Sequence, residues 1–136
     1  MPATPAYLLD SSACIPILRN QAGLGKLPSP AKSGIPIIVA AELWTGVKKN
    51  MGSHPQQAAK LQAFLDLFVI PAFDMEAAVH YAEIRADLET RGKTIGPLDL
   101  LIAAQARSLG ATLVTGNASE FKRVKGLKVQ EWHPAA

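Results

Sequence analysis

Only one cysteine, Cys14, stands in the 136-residue chain, so no disulfide can close within it. That scarcity fits a reducing compartment, and a cytoplasmic location is expected. No apolar run approaches the roughly 18 residues of a membrane span, so no membrane partner is expected. The start lacks a basic segment followed by an apolar core, so no signal peptide is expected either. The three histidines, His54, His80 and His133, show no metal-ligand spacing and are read as surface or core residues. Cys14 has no motif around it and is read as a small buried apolar group. Internal repeats and low-complexity tracts are missing. Charge is nearly balanced: 14 Lys and Arg against 11 Asp and Glu leave +3, with a pI near 9.2. That is a mild lean toward polyanions or an acidic partner.

What is present is length and pattern. A chain of this size makes one domain. It can bury about two-thirds of its unfolded surface without a disulfide or metal staple. Strand-like apolar runs alternate with helix-like segments, the mark of an α/β fold with a mainly parallel sheet. "AYLL" is a first short strand and "ACIPILRN" a helix, in which Pro16 is tolerable only in the first turn. "QAGLGKLPSPAKSG" reads as a loop, "IPIIV" as a second strand and "AAELWTGVKKN" as a helix. Leu61, Phe64, Leu65 and Phe68 make one helical stripe, and Ala77, Tyr81, Ile84 and Leu88 another. "FVIPAF" reads as a short strand that Pro71 pushes to an edge. Gly96-Pro97 opens a further helix. "ATLVT", "ASEFKRV" and "LKVQEW" follow as strand, short helix and strand. Residues 1–5 and 134–136 are expected to lie loose beside the single domain.

The acids fall where such folds bind ligands, beyond the carboxyl ends of strands. Asp10 follows the first strand directly. Glu42 lies one helical turn past the expected second strand. Asp99 sits in the first turn of the helix opened by Pro97, and Asn117 and Glu120 follow "TLVT". Converging carboxylates raise one another's pKa, and a hard divalent cation such as Mg²⁺ or Mn²⁺ relieves that cost. Ordinary roles compete. Asp10 has the position of a helix cap, Asp99 suits the helix dipole, and Asn117-Ala118-Ser119-Glu120 has capping-box spacing. Glu42 has no such explanation, because Val39 three residues earlier cannot cap. Its neighbours are mostly apolar, so it needs a partner or a task. Lys48-Lys49 and the run Lys122, Arg123, Lys125, Lys128 have two readings: solvated faces, or phosphate contacts if they flank the acids.

Three stretches, "IIVAAELWTGV", "IGPLDLLIAAQARSLGATLVT" and "TGNASEFKRVKGLKVQEW", stand within a span from "YLLDSSACI" to "GLKVQEW" that takes in almost the whole chain. In this order they resemble PIN-domain ribonucleases, specifically VapC-type toxins of bacterial type II toxin–antitoxin pairs. The resemblance implies a single PIN-like α/β domain and a metal-dependent endoribonuclease. It implies Asp10, Glu42 and Asp99 as metal-binding acids with Asn117 as a fourth catalytic position. Asp10 and Asp99 would bind Mg²⁺ or Mn²⁺ directly; Glu42, Asn117 and Glu120 would bind it directly or through water. It further implies an RNA substrate such as a tRNA or ribosomal RNA stem-loop, a VapB-type antitoxin, a homodimer and a hetero-oligomer with that antitoxin. Ser11, Lys48, Lys49, Lys122 and Arg123 are the candidate RNA contacts. Two positions depart from the family pattern. Ser11-Ser12 stands where Thr-Asn is common after the first Asp, and Val39 stands where Ser or Thr is frequent. A non-catalytic PIN module that binds RNA or a partner is the alternative. A phosphoacceptor receiver domain would need paired acids after its first strand, which are missing.

Overall fold

A computed structural model describes residues 4–134. Four short strands form one parallel sheet in the order β2-β1-β3-β4. They are β1 (Tyr7–Leu9), β2 (Ser33–Gly34), β3 (Thr112–Thr115) and β4 (Lys128–Glu131). Six α-helices flank it: α1 (Ser11–Leu18), α2 (Ile37–Lys49), α3 (Gln57–Leu65), α4 (Met75–Arg91), α5 (Pro97–Leu109) and α6 (Ala118–Phe121). The α/β, mainly parallel expectation therefore holds. The sheet's interior is apolar on both faces, as buried parallel strands must be: Leu8, Leu9, Leu113 and Val114 are fully buried. Helices α1, α2 and α3 pack on one another, α4 packs along α5, and α2 also touches α5. The small residues Ala103, Ala104 and Ala106 of α5 are fully buried, which lets that helix sit close to its neighbours.

Three expectations are corrected. "IPIIV" is not a strand. Pairing stops at Gly34, and α2 begins at Ile37 with Pro36 at its cap position. Short apolar runs suit a buried strand or a buried helix start equally, and here Val39, Leu43 and Val47 make a helical stripe. "FVIPAF" contributes only a single parallel bridge, Gly34 to Val69, with the Ile35 amide donating to the Val69 carbonyl at 2.9 Å. The carbonyls of Pro71 and Ala72 take the buried Gln105 side-chain amide instead, at 2.8 and 3.1 Å. Pro16 lies in the second turn of α1, where it removes the donor that would reach the Ser12 carbonyl; the helix ends at Leu18.

Gly34 is where the chain runs tightest. A Cβ there would stand 3.0 Å from Leu8 Cδ2 and 3.1 Å from both Pro5 and the Val69 carbonyl. Pro5 is thus buried rather than loose; residues 1–3 and 135–136 lie outside the described residues. The parallel register brings Leu9 beside Val114, so Asp10 and Thr115 leave the sheet at the same edge. That edge carries the candidate site.

Candidate active site

Asp10 is 4% exposed and stands at the cap position of α1. Its Oδ1 accepts the Ala13 amide at 3.2 Å and the Ser12 hydroxyl at 2.5 Å. Its Oδ2 accepts the Thr115 hydroxyl at 2.6 Å. The capping role is therefore real. The two hydroxyl bonds exceed what a cap needs, because one of them comes from 105 residues away.

Glu42 lies in the second turn of α2, half-buried, and its Oε1 is a buried atom without a hydrogen-bond partner. Burial raises its carboxyl above the ordinary range, and the nearby charge of Asp10 adds to that. Asp99, third residue of α5, is pushed up to about 6. Burial is the main cause, followed by the charges of Glu120, Asp10 and Glu42. Four acids from α1, α2, α5 and α6 thus feel one another at one edge.

Asn117 is exposed at the cap position of α6 but makes no capping bond. Its Nδ2 donates instead to Glu120 Oε2 at 2.7 Å. The capping-box reading of Asn117 and Glu120 therefore fails, and the amide holds a carboxylate that faces Asp99. Ser11 opens α1, half-buried. Lys48 and Lys49 end α2 and are exposed, with Lys48 Nζ 5.7 Å over the Trp44 ring. Lys122 is exposed directly after α6. Arg123 is exposed too, but its guanidinium donates to the Thr94 carbonyl at 2.9 Å, on the loop that leads into α5.

The residue that sequence reasoning overlooked is Thr115. It is fully buried, and its hydroxyl joins Asp10 to the Asn117 amide, which donates to it at 2.9 Å. Its place in a β-branched run disguises it as a strand former. The available signal was its position, last in a strand and just before Gly116-Asn117. Cys14, one helical turn past Asp10, behaves as the buried apolar group expected: burial, helped by the Asp10 charge, holds its thiol protonated. Trp132 is buried against the core and donates its indole N–H to the Lys26 carbonyl at 2.9 Å.

Do these residues suit a divalent ion? Among the described residues no three acids close into a ready-made ligand cage. Mg²⁺ does not require one, since it binds through one or two carboxylates and keeps several waters. The orphaned Glu42 Oε1 and the raised carboxyls of Glu42 and Asp99 are an all-oxygen donor set short of positive charge. That chemistry fits a hard cation. A cavity of about 180 Å³ opens beside it between α1, α2 and α3, with Ile15, Leu18, Leu43 and Leu61 on its walls and Glu42 and Lys60 at polar positions.

Comparison with known proteins identifies the family. The family model described as PIN domain matches residues 7–127. Ribonuclease VapC2 of Rickettsia felis is 37% identical over 131 residues, covering 93% of this chain and 97% of its own length. The tRNA(fMet)-specific endonuclease VapC of Shigella flexneri is 32% identical over 129 residues, with the same two coverages. The crystal structure of VapBC2 from Rickettsia felis, bound to a DNA fragment from its promoter, superposes with a TM-score of 0.82 at 35% identity. It covers 93% of this chain and 98% of the matched one. An acid-lined sheet edge on this topology, with relatives of this likeness along nearly the whole chain, places the protein in the PIN-domain family, among the VapC ribonucleases.

Proposed function

We propose that this chain is the toxin of a toxin–antitoxin pair, an endoribonuclease that hydrolyses RNA phosphodiester bonds with Mg²⁺ or Mn²⁺ and is neutralised by a VapB-type antitoxin. The observation that carries the reading is the convergence of Asp10, Glu42, Asp99 and Glu120 at one sheet edge, with a buried Glu42 oxygen left unpaired. Asp10 and Asp99 would hold the ion, with Glu42, Asn117 and Glu120 completing the set directly or through water. When bound, the ion supplies charge neutralisation for the phosphoryl group and lowers the pKa of a water. The chain's own work is positioning. Asp10 presents a carboxylate fixed on both oxygens, so little reorientation is needed when substrate arrives. Glu42 offers an oxygen that no protein donor competes for. Asn117 holds Glu120 toward Asp99. Burial and the neighbouring carboxylates push the metal-free Asp99 carboxyl up to about 6, a cost that a bound cation would relieve.

The substrate class we assign is a tRNA or ribosomal RNA stem-loop; the Shigella relative is named for a tRNA. Single-stranded loops are where proteins read RNA sequence, through unstacked bases. Ser11, Lys48, Lys49, Lys122 and Arg123 are the assigned contacts; Arg123 spends one N–H on the Thr94 carbonyl and keeps others for phosphate. A homodimer, and a hetero-oligomer with the antitoxin, complete the reading; the Rickettsia structure is of a VapBC pair. The cytoplasm is the assigned location, and no helix among the described residues is long and apolar enough to cross a membrane.

The test is cleavage of bulk tRNA and ribosomal RNA by the purified chain, with Mg²⁺ or Mn²⁺ and with chelator. Cuts that need the ion and vanish on adding the antitoxin support the proposal. A chain that binds RNA yet never cuts it with either ion would be a non-catalytic PIN module, the reading that the neutral Asn117 and the unclosed acid set favour.

A further inference from the structure

Two hydroxyls connect Asp10 to the turn after β3. Ser12 Oγ accepts the Gly116 amide at 2.8 Å, and Thr115 Oγ1 accepts the Asn117 amide at 2.9 Å. A backbone N–H can only donate, so each hydroxyl must receive there and keep its single proton for another acceptor. Both protons have the same target. Ser12 donates to Asp10 Oδ1 and Thr115 to Asp10 Oδ2, while the hydroxyls themselves stand 3.4 Å apart. The direction of every proton in this bracket is thereby set by two consecutive backbone amides. The turn is also held from behind. The Trp132 amide donates to the Thr115 carbonyl at 2.9 Å, and a Cβ on Gly116 would stand 3.4 Å from both Ser12 Oγ and the Trp132 carbonyl. A Cβ there would just touch both, so Ser12 and Trp132 wall the turn closely from two sides.

We propose that Ser12 is a positioning residue whose hydroxyl makes Asp10 and the Gly116–Asn117 turn a single rigid unit, so that Asp10 and the Asn117–Glu120 pair keep fixed relative positions. This rests on the metal-dependent reading above. Ser12 is the position where this chain departs from the family's usual asparagine. The serine hydroxyl makes both bonds from one atom, accepting from the Gly116 amide and donating to Asp10 Oδ1. Loss of that hydroxyl leaves the Gly116 amide without its partner and Asp10 Oδ1 with only the Ala13 amide. Asp10 then gains freedom to turn, and ligands that must act together drift apart.

The experiment uses Ser12→Ala and Ser12→Thr in the full chain. Backbone amide exchange at Gly116 and Asn117 is followed in chelator, and Mn²⁺ alone is titrated into each protein. In Ser12→Ala, Gly116 exchange should quicken by about tenfold, the value of one net hydrogen bond. Asn117 exchange should quicken as well, although the Thr115 hydroxyl is intact, because the unit has loosened. Mn²⁺ affinity should fall by roughly 10- to 100-fold, as when a partner of a metal ligand is lost. Ser12→Thr should restore all three. Unchanged exchange at Asn117, unchanged Mn²⁺ affinity, or a threonine variant as impaired as alanine each overturns the proposal. A parent chain that binds no Mn²⁺ defeats the functional reading instead, and the two amides still decide whether the bracket exists.

Discussion

Acidic side chains on two faces of this molecule are treated in opposite ways. On the outer face of α4, Glu83, Asp87 and Glu89 each have a cation. Asp87 meets Arg91 at 2.6 Å and Lys125 at 3.6 Å, Glu89 meets Arg85 at 2.8 Å, and Glu83 meets Arg107 at 2.6 Å. The Arg91 hydrogen bond holds the Asp87 carboxyl below its ordinary value. At the carboxyl edge of the sheet, no ion pair among the described residues reaches Asp10, Glu42, Asp99 or Glu120. There burial and mutual repulsion push Glu42 and Asp99 up. The first face settles its charge within itself and contributes little to stability, as exposed pairs do. The second leaves its charge open, and that is what a binding site for a cation requires.

The sharpest way to break this contrast is to neutralise one acid of the edge. Asp99→Asn and Asp10→Asn should each lower RNA cleavage by at least roughly 100-fold, the upper end of the loss when only a partner of a metal ligand is removed. Cleavage of a labelled RNA at saturating Mg²⁺ measures it. The two variants should differ in stability. Asp10 caps α1 and accepts two hydroxyls, so its loss should cost about 1 kcal/mol or more in chelator. Charge repulsion alone would have predicted relief at Asp10; the hydroxyl donors reverse that. Asp99→Asn should instead leave the metal-free protein as stable as the parent or more so. Chelated urea melts separate the two cases.

The next effect is a pH dependence confined to the edge. The Asp99 carboxyl rises from 3.8 to about 6 on folding, so the native state holds its proton more tightly than the unfolded chain. Metal-free stability should therefore be highest at the acid end of that window and fall as pH climbs through it. Asp99→Asn should flatten this slope, while Asp87→Asn should not, since Asp87 is shifted the other way. Urea midpoints between pH 4 and pH 7, an interval set by about one unit beyond the Asp99 shift, give the slope directly.

A smaller effect concerns the basic residues near the edge. Lys48→Ala, Lys49→Ala and Lys122→Ala should each weaken RNA binding and reduce its salt slope by roughly 0.7 for each lost phosphate contact on a single strand. An unchanged slope returns that lysine to a solvated face. The smallest effect should come from Arg85→Ala on α4, where the pair is exposed. Cleavage should not change, and any loss in melting temperature should vanish with added salt.

How much of this was legible beforehand differs from element to element. Helices α3, α4 and α5 were legible because an apolar stripe or a Gly-Pro start repeats the helical period locally. The strand at "IPIIV" was not, because five apolar residues carry no period long enough to separate strand from helix. Asp10 and Asp99 were legible as acids beside a strand end and a helix start. The sequence also carried the resemblance that links them into one site. Thr115 stayed hidden, since its role is a bond to a residue 105 positions away.

The sequence by itself determined the alternation that makes an α/β fold, the helix that proline opens before Asp99, and the placing of acids at strand ends and helix starts. These are local properties of periodicity, capping and composition. Only the tertiary structure decided that Leu9 lies beside Val114, so that Asp10 and Thr115 leave the sheet together. The same packing left Glu42 Oε1 buried without a donor and turned two serine and threonine hydroxyls toward one carboxylate. The physical reason is that hydrogen-bond satisfaction and carboxylate repulsion act over a few ångströms of space, whereas the chain separates all of these groups except Asp10 and Ser12 by tens of residues.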